Sequence, residues 1–281
     1  MRAQCANYKS VPTVQGEVVE MQDEALETKT REIAELILDA QQIVVFTGAG
    51  ISTESGIPDF RSPGGIWTKF DPREFTYQRF VGDIEVRRRA WQFFRAIPWT
   101  DVQPNRAHYA VAELEKMGKL DCVITQNIDG LHQMAGTSPE RVIELHGTTR
   151  YVICLDCKKR WTREEIEGWL DDGVEIPMCD ACGGIMKSAT ISFGQSMPVE
   201  ETREAEERSR RCDLCIVIGS SLVVYPAAYM PIYAAQSGAK LVIINHDPTP
   251  LDNDAAIVLN AGAGEAMVQI LKQVKAGLGK S

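Results

Sequence analysis

Residues 43–61 read IVVFTGAGISTESGIPDFR, and this stretch decides the predicted fold. Four apolar residues, 43–46, form a short hydrophobic run that is typical of a strand buried on both faces of a parallel sheet. Gly48-Ala49-Gly50 follows, and glycines let the backbone turn tightly and approach a ligand. Ser52 and Thr53 are candidate caps for a following turn of helix. A strand, a Gly-rich turn and free amides at a helix start form a pyrophosphate site, so we predict that this stretch binds a dinucleotide.

The same stretch departs from the usual G-x-G-x-x-G dinucleotide pattern, because Thr53 stands where the third glycine would be. Gly-x-Gly alone is a weak signal, and an ordinary turn between a strand and a helix is the alternative. Asp59, Phe60 and Arg61 end the stretch with an acid, a flat aromatic ring and a fixed cation, after the rigid turn at Pro58.

The composition excludes several classes of protein. The 281 residues are 44% apolar and 25% charged, as in ordinary globular proteins. A net charge of −9 gives no general attraction to nucleic acid or to anionic lipid, and no apolar run is long enough to span a membrane. The N-terminus lacks the pattern of a secretory signal, so we expect a cytoplasmic protein. Eight cysteines in that reducing compartment favour metal ligation over disulfides.

Strands and helices alternate along the chain, which predicts an α/β fold with a Rossmann-like, doubly wound parallel sheet. A smaller zinc-binding and helical domain interrupts this alternation. Short apolar runs predict the strands at 43–46, 122–125, 142–145, 214–219, 241–244 and 256–259. Helices are predicted at 26–40, 83–96, 106–118, 200–211, 227–237 and 264–275.

The predicted domain division follows from this alternation. The Rossmann-like domain comprises residues 23–61, 101–146 and 188–281, after an N-terminal extension of residues 1–22. The small domain comprises residues 62–100 and the cysteine-rich segment 147–187. Residues 62–100 are dense in aromatic side chains, so they form either a lid with an aromatic-lined pocket or a small helical core.

Polar side chains follow several of the predicted strands, at the edge of the sheet where open parallel sheets bind ligands. Gln126, Asn127 and Asp129 come after one strand, and His146 follows the next. An isolated histidine is more often structural than catalytic. The position of His146 in the same layer as the Gly-Ala-Gly turn favours a catalytic base.

The cysteines form two C-x-x-C pairs, and 21 residues separate the pairs. Two such pairs at this separation predict a four-cysteine zinc site, in which the ion is structural because no coordination position is open. The ligands would be Cys154, Cys157, Cys179 and Cys182. A third pair, Cys212-x-x-Cys215, precedes an apolar run and is interpreted as part of a buried strand, with a redox motif as the alternative.

Taken together, GAGIS-x-x-SGIPDFR, TQNIDGLH, ELHG, the paired C-x-x-C and GSSL-x-V-x-P resemble the sirtuins, the NAD-dependent protein lysine deacylases. The motifs occur in the family's order over about residues 26–275, and the chain is most similar to bacterial and archaeal deacetylases. The resemblance implies that NAD is a consumed cosubstrate and that acyl-lysine peptides are the partners. One structural zinc is implied as well.

The resemblance also implies residue roles. His146 would be the general base, with Asn127 as the second catalytic residue, and a pKa near 6.5 suits a base at neutral pH. Ile191, Phe193 and Gly194 would pair with the substrate backbone as an added strand. The residues implied in NAD binding are Gly48, Ala49, Gly50, Thr53, Asp59, Phe60, Arg61, Gln126, Ile128, Asp129, Gly219, Ser220, Ser221, Asn245, Gly262 and Ala263.

In the implied reaction, the acyl oxygen attacks C1′ of the nicotinamide ribose and nicotinamide leaves. His146 then deprotonates a ribose hydroxyl, and the products are free lysine and O-acyl-ADP-ribose. The chain departs from the family at 187–195, KSATISFGQ, where Pro and Glu are usual at Ser188 and Gln195. The Tyr-x-x-Arg pair of desuccinylases is not evident at 62–100, which favours an uncharged acyl group.

Three alternatives remain at this stage. Protein ADP-ribosyl transfer would use the same NAD site. A hydride-transferring dehydrogenase would place an acid at the end of a second strand, about 20 residues beyond the glycines, but the region there is aromatic and helical and no such strand is evident. A non-enzymatic zinc module is disfavoured by the bulk of the chain outside the cysteine pairs. The sequence does not define the oligomeric state.

Overall fold

The computed structural model describes residues 14–59, 65, 68, 76–96 and 102–279. Its main sheet has six parallel strands in the order β3-β2-β1-β7-β8-β9. Every residue of β1 and β7 is buried, because helices cover both faces of the sheet. The six strands are β1 (Ile43–Thr47), β2 (Leu120–Thr125), β3 (Val142–Glu144), β7 (Leu214–Ile218), β8 (Lys240–Ile244) and β9 (Ile257–Leu259).

A second, antiparallel sheet of three strands in the order β5-β4-β6 lies between β3 and β7 in the sequence. It has its own core, in which Trp161 and Met186 are buried with Trp91 and Phe94. The insertion therefore forms the smaller part of the α/β fold, as predicted. Its strands are β4 (Gly147–Cys154), β5 (Arg160–Thr162) and β6 (Met186–Thr190).

Two apolar clusters cover the two faces of the main sheet. One packs the outer helices α1, α4 and α9 against alternate residues such as Val45 and Ile216, and the other faces α7 and α8 through Phe46 and Val217. The helices are α1 (Val14–Asp39), α2 (Tyr77–Gly82), α3 (Ile84–Ala96), α4 (Arg106–Lys116), α5 (Leu131–Met134), α6 (Arg163–Asp171), α7 (Val199–Arg211), α8 (Tyr229–Gln236) and α9 (Ala263–Gly277).

The predicted elements agree with these bounds to within a few residues, apart from two differences. Helix α1 begins at Val14, inside the predicted N-terminal extension, where the sequence shows no clear helical period. Residues 191–194 form no regular strand, and Phe193 makes a single bridge to Thr76. Within the described ranges, no helix has the length and apolar character needed to cross a membrane.

Candidate functional site

The loops after β1 and β7 meet where the strand order reverses, which is the position at which open α/β sheets bind ligands. Gly50 N donates to Gly219 O at 2.8 Å, so the two loops are joined backbone to backbone. Gly219 has φ +63°, and a Cβ there would overlap Ile51 N and lie 2.5 Å from the carbonyl carbon of Gly50. This close approach requires glycine. The two loops, Gly48-Ala49-Gly50 after β1 and Gly219-Ser220 after β7, therefore form one continuous surface, called the glycine floor below.

The loop after β2 crosses this floor and contacts both of its halves. Gln126 Nε2 donates to Ser220 Oγ at 2.8 Å on the β7 side. On the β1 side, Asn127 Nδ2 donates to Gly48 O and to Ser52 Oγ, both at 3.1 Å. The predicted cofactor residues of the three loops are therefore brought together by direct hydrogen bonds.

Ser52 is the centre of a buried polar cluster that the sequence does not reveal. Its hydroxyl donates to Asp129 Oδ2 at 2.8 Å and accepts from Asn127. His108 Nδ1 accepts from Asn105 N, so its other nitrogen carries the proton that faces Ser52 Oγ at 3.5 Å. Burial raises the pKa of Asp129, and its hydrogen bonds oppose that shift. The cluster fixes the orientation of Asn127.

A second cluster of buried polar side chains lies at the ends of β1 and β2. Thr47 Oγ1 donates to Thr125 Oγ1 at 2.8 Å, so His132 Nε2, 3.0 Å away, must donate to Thr47. The His132 and His108 rings pack edge to face with centroids 5.0 Å apart. Burial lowers the pKa of both imidazoles, that of His108 to about 4, so both rings are neutral at pH 7.

His146 follows β3 and faces the same loops. Its Nδ1 lies 3.0 Å from the carbonyl oxygen of Gln126, and a carbonyl only accepts, so Nδ1 carries the proton and Nε2 keeps a free lone pair. Burial lowers the pKa of His146, and the bond to Gln126 opposes that shift. The ring is therefore neutral at pH 7, in the protonation state that a general base needs.

The residue after His146 must be glycine for a steric reason. Gly147 has φ +71°, and a Cβ there would overlap the carbonyl oxygen of Ala189 and lie 3.1 Å from Thr190 Cα. The close approach allows Ile191 N to donate to His146 O at 2.8 Å. The backbone of the candidate base is thus joined to the segment predicted to bind substrate.

The other predicted cofactor residues lie around these loops. Thr53 Oγ1 donates to Gly50 O within the 3₁₀ helix that follows β1, and Asn245 Nδ2 donates to Asp247 O after β8. Gly262 and Ala263 begin α9, where the side chain of Glu54 accepts from Gly264 N at 2.7 Å. Ala49, Asp59, Ile128 and Ser221 are half-buried around these loops. Phe60 and Arg61 lie outside the described residues.

The predicted substrate segment is held from two sides. Tyr77 N, at the start of α2, donates to Phe193 O at 2.9 Å, and Gln78 Nε2 donates to Gly194 O at 3.1 Å. Gln195 stands where the family usually has Glu, and its side chain accepts from Ser192 N at 3.2 Å. The amide oxygen therefore closes the turn that follows the segment.

The four predicted metal ligands converge, with all four sulfur atoms within 4.8 Å of one another. The Sγ atoms of Cys154 and Cys182 are 3.6 Å apart, as are those of Cys157 and Cys179. Thiolates bound to one tetrahedral Zn²⁺ at about 2.3 Å would have this spacing, so the set fits a structural zinc. Cys212 and Cys215 are buried, as expected of core residues, and burial raises the pKa of both thiols.

The fold and site define a class of protein, a Rossmann-like dinucleotide-binding enzyme with a four-cysteine module. The Sir2 family model matches residues 48–226, and the chain belongs to this family. It is 46% identical to the NAD-dependent protein deacetylase of Rhodopseudomonas palustris, over 86% of this chain and 96% of that one. It is 43% identical to NAD-dependent protein deacylase 2 of Archaeoglobus fulgidus, over 89% and 98% of the two chains.

A solved structure described as Sir2 with a p53 peptide and NAD⁺ is similar to this fold with a TM-score of 0.80. Its sequence is 38% identical to this one, and the alignment covers 90% of this chain and all of that one. The glycine floor, with polar side chains on three adjoining loops, fits such a dinucleotide.

Proposed function

We propose that this protein is an NAD-dependent protein lysine deacylase that acts on uncharged acyl groups, acetyl above all. The observation that carries the proposal is the hydrogen bond between His146 and the loop after β2. The same loop that accepts from His146 Nδ1 also contacts Gly48 and Ser220. A neutral imidazole with a free Nε2 is thereby fixed beside the dinucleotide floor.

NAD, when bound, supplies the ribose carbon that is attacked and the ADP-ribose that receives the acyl group. The chain's own residues would bind and orient it. Gln126, Asn127, Ile128 and Asp129 would contact the nicotinamide-side ribose and the carboxamide. Phosphates would lie over Gly48-Ala49-Gly50 and Thr53, with Asp59, Phe60 and Arg61 at the reacting end. Gly219, Ser220, Ser221, Asn245, Gly262 and Ala263 would hold the adenosine half.

His146 would accept a proton from a ribose hydroxyl at Nε2, since Nδ1 is already committed to Gln126 O. Asn127 would support this step through Oδ1, which accepts, because both amide protons are committed to Gly48 O and Ser52 Oγ and a group already held in place needs no reorientation during the reaction. The acyl-lysine peptide would lie along Ile191, Phe193 and Gly194. The four-cysteine zinc would stabilise the small sheet without taking part in the chemistry.

The proposal extends to partners and location. Acyl-lysine proteins are the expected partners, with no direct nucleic-acid binding because the net charge is −9. A cytoplasmic location accords with the absence of disulfides among the described cysteines.

The test is NAD consumption with an acetyl-lysine peptide, with products identified by mass. Wild type should release nicotinamide and O-acetyl-ADP-ribose, and His146→Ala should give no O-acetyl-ADP-ribose. His246→Ala is the matched control, because that histidine is exposed in a loop after β8 and its loss should change nothing. If wild type modifies the peptide with ADP-ribose instead, the alternative activity, protein ADP-ribosyl transfer, replaces the proposal.

A further inference from the structure

Lys187 is a buried lysine without an acidic partner among the described residues. It lies in β6 of the small sheet and is only 4% exposed. An ammonium group loses much of its hydration when it is buried, and a carboxylate usually compensates for that loss. Burial lowers the pKa of Lys187 to about 8. Stability alone therefore gives no reason for a lysine at this position.

The contacts of Lys187 are with the chain that leads into the substrate segment. Its Nζ donates to Thr190 O at 2.6 Å and lies 3.4 Å from Ser188 O. The ammonium also lies 5.9 Å from the ring centroid of Phe80, on α2. Lys187 thus joins the end of β6 to the helix whose first residues hold Phe193 and Gly194.

Thr190 is directly followed by Ile191, whose N–H donates to the carbonyl of His146. A shift of the Thr190 carbonyl would therefore move the peptide group that fixes Ile191 against the candidate base. Pairing of an added strand depends on the placement of such backbone groups, and small displacements weaken several hydrogen bonds together.

We propose that Lys187 is a positioning residue for the acyl-peptide substrate, because its buried ammonium fixes the Thr190 carbonyl and with it the Ile191 peptide group. This inference rests on the proposed function and adds a determinant of peptide affinity. Lys187 is not among the residues proposed to hold NAD or to act on the reacting atoms. Its loss should weaken peptide binding and leave NAD binding intact.

The test compares Lys187→Met with wild type in steady-state deacetylation. Methionine keeps the length and apolar stem and removes the donors. A charge-assisted hydrogen bond contributes enough that its loss should raise the KM for peptide about tenfold, with the KM for NAD unchanged. The thermal midpoint should stay the same or rise, because an unpaired buried charge has been removed. Lys187→Arg should keep the peptide KM within about threefold, because it restores a charged donor.

Ser188→Ala is the matched control. Ser188 is the next residue, and its buried hydroxyl has no hydrogen-bond partner in the part of the chain that the structure describes, so its loss should leave both KM values unchanged. If Lys187→Met lowers the thermal midpoint and both KM values stay at wild type, the lysine is structural and the inference is wrong. A rise in both KM values equally would also overturn it. If wild type itself turns over no acyl peptide, the proposed function fails instead, and the two failures are thereby distinguished.

Discussion

Replacing Gly147 by alanine should displace His146, because the methyl group has no space at this position. The Cβ would overlap Ala189 O and lie 3.1 Å from Thr190 Cα, so β4 and β6 must separate next to the candidate base. The residue also has φ +71°, a left-handed conformation that costs an alanine about 1–2 kcal/mol. Separation of the strands adds the loss of nearby backbone hydrogen bonds, about 1 kcal/mol each.

The structure offers a control with the same backbone conformation and no clash. Gly118 has φ +72° after α4, and a Cβ there meets nothing within 4 Å. Gly118→Ala should therefore lose about 1–2 kcal/mol of stability through strain alone, with normal activity. Gly147→Ala should lose that amount and the cost of strand separation as well.

The activities of the two variants should differ much more than their stabilities. Displacement of a reacting group by about 1 Å can reduce a rate by about 10²-fold, and we expect a loss of this size in kcat/KM for Gly147→Ala. The assay is deacetylation of an acetyl-lysine peptide at a temperature where both variants are folded, together with urea unfolding. If Gly147→Ala is folded and its kcat/KM lies within threefold of that of Gly118→Ala, the steric reasoning is refuted.

Three other predictions follow from the site. A chelator should remove one zinc per chain from wild type and lower its thermal midpoint. Zinc analysis should find no ion in Cys157→Ser and one ion per chain in Cys212→Ala, the control. On the acid side of the pH profile, the apparent pKa of kcat/KM should lie below 6.5, because burial lowers the pKa of His146 and only the neutral ring accepts a proton. An apparent pKa above 6.5 would contradict this. Gln126→Leu and Ser220→Ala should each raise the KM for NAD about three- to tenfold, and the double variant should raise it by less than the product of the two single effects, because both variants break the same hydrogen bond; an effect equal to that product would contradict the shared contact.

The sequence predicts the main sheet well because its strands are strongly marked. Runs such as 43–46 and 241–244 are short, apolar and bounded by turn residues, and each is a buried strand. The cysteine pairs are equally informative, since two C-x-x-C pairs at this separation are typical of a four-cysteine site and the four sulfur atoms do converge. Both signals are local, and they do not depend on how distant parts of the chain pack.

The polar cluster around Ser52 could not be predicted in this way. Its partners, His108 and Asn127, are distant in sequence: the pairing of β1 with β2 brings Asn127 to the hydroxyl, and the packing of α4 on the sheet brings His108 there. His132 belongs to a motif that the sequence analysis quoted, but periodicity does not show that its ring is buried against Thr47. Lys187 escaped notice for a related reason, since lysines are almost always exposed and sequence shows no sign of this exception.

The glycines after β1 are required for a different reason from the one that their motif suggests. The motif predicts that they allow a ligand to approach closely, yet a Cβ at Gly48 would lie 2.7 Å from Gly219 O, in the loop after β7. Two loops from strands far apart in the sequence must therefore touch before any ligand arrives. This contact fixes the two loops against each other, so a dinucleotide would bind to a surface that loop packing has already built. Position 53 takes no part in that contact, so it does not need a glycine. The chain can therefore carry Thr53 in place of the third glycine of the G-x-G-x-x-G pattern and keep its dinucleotide-binding floor.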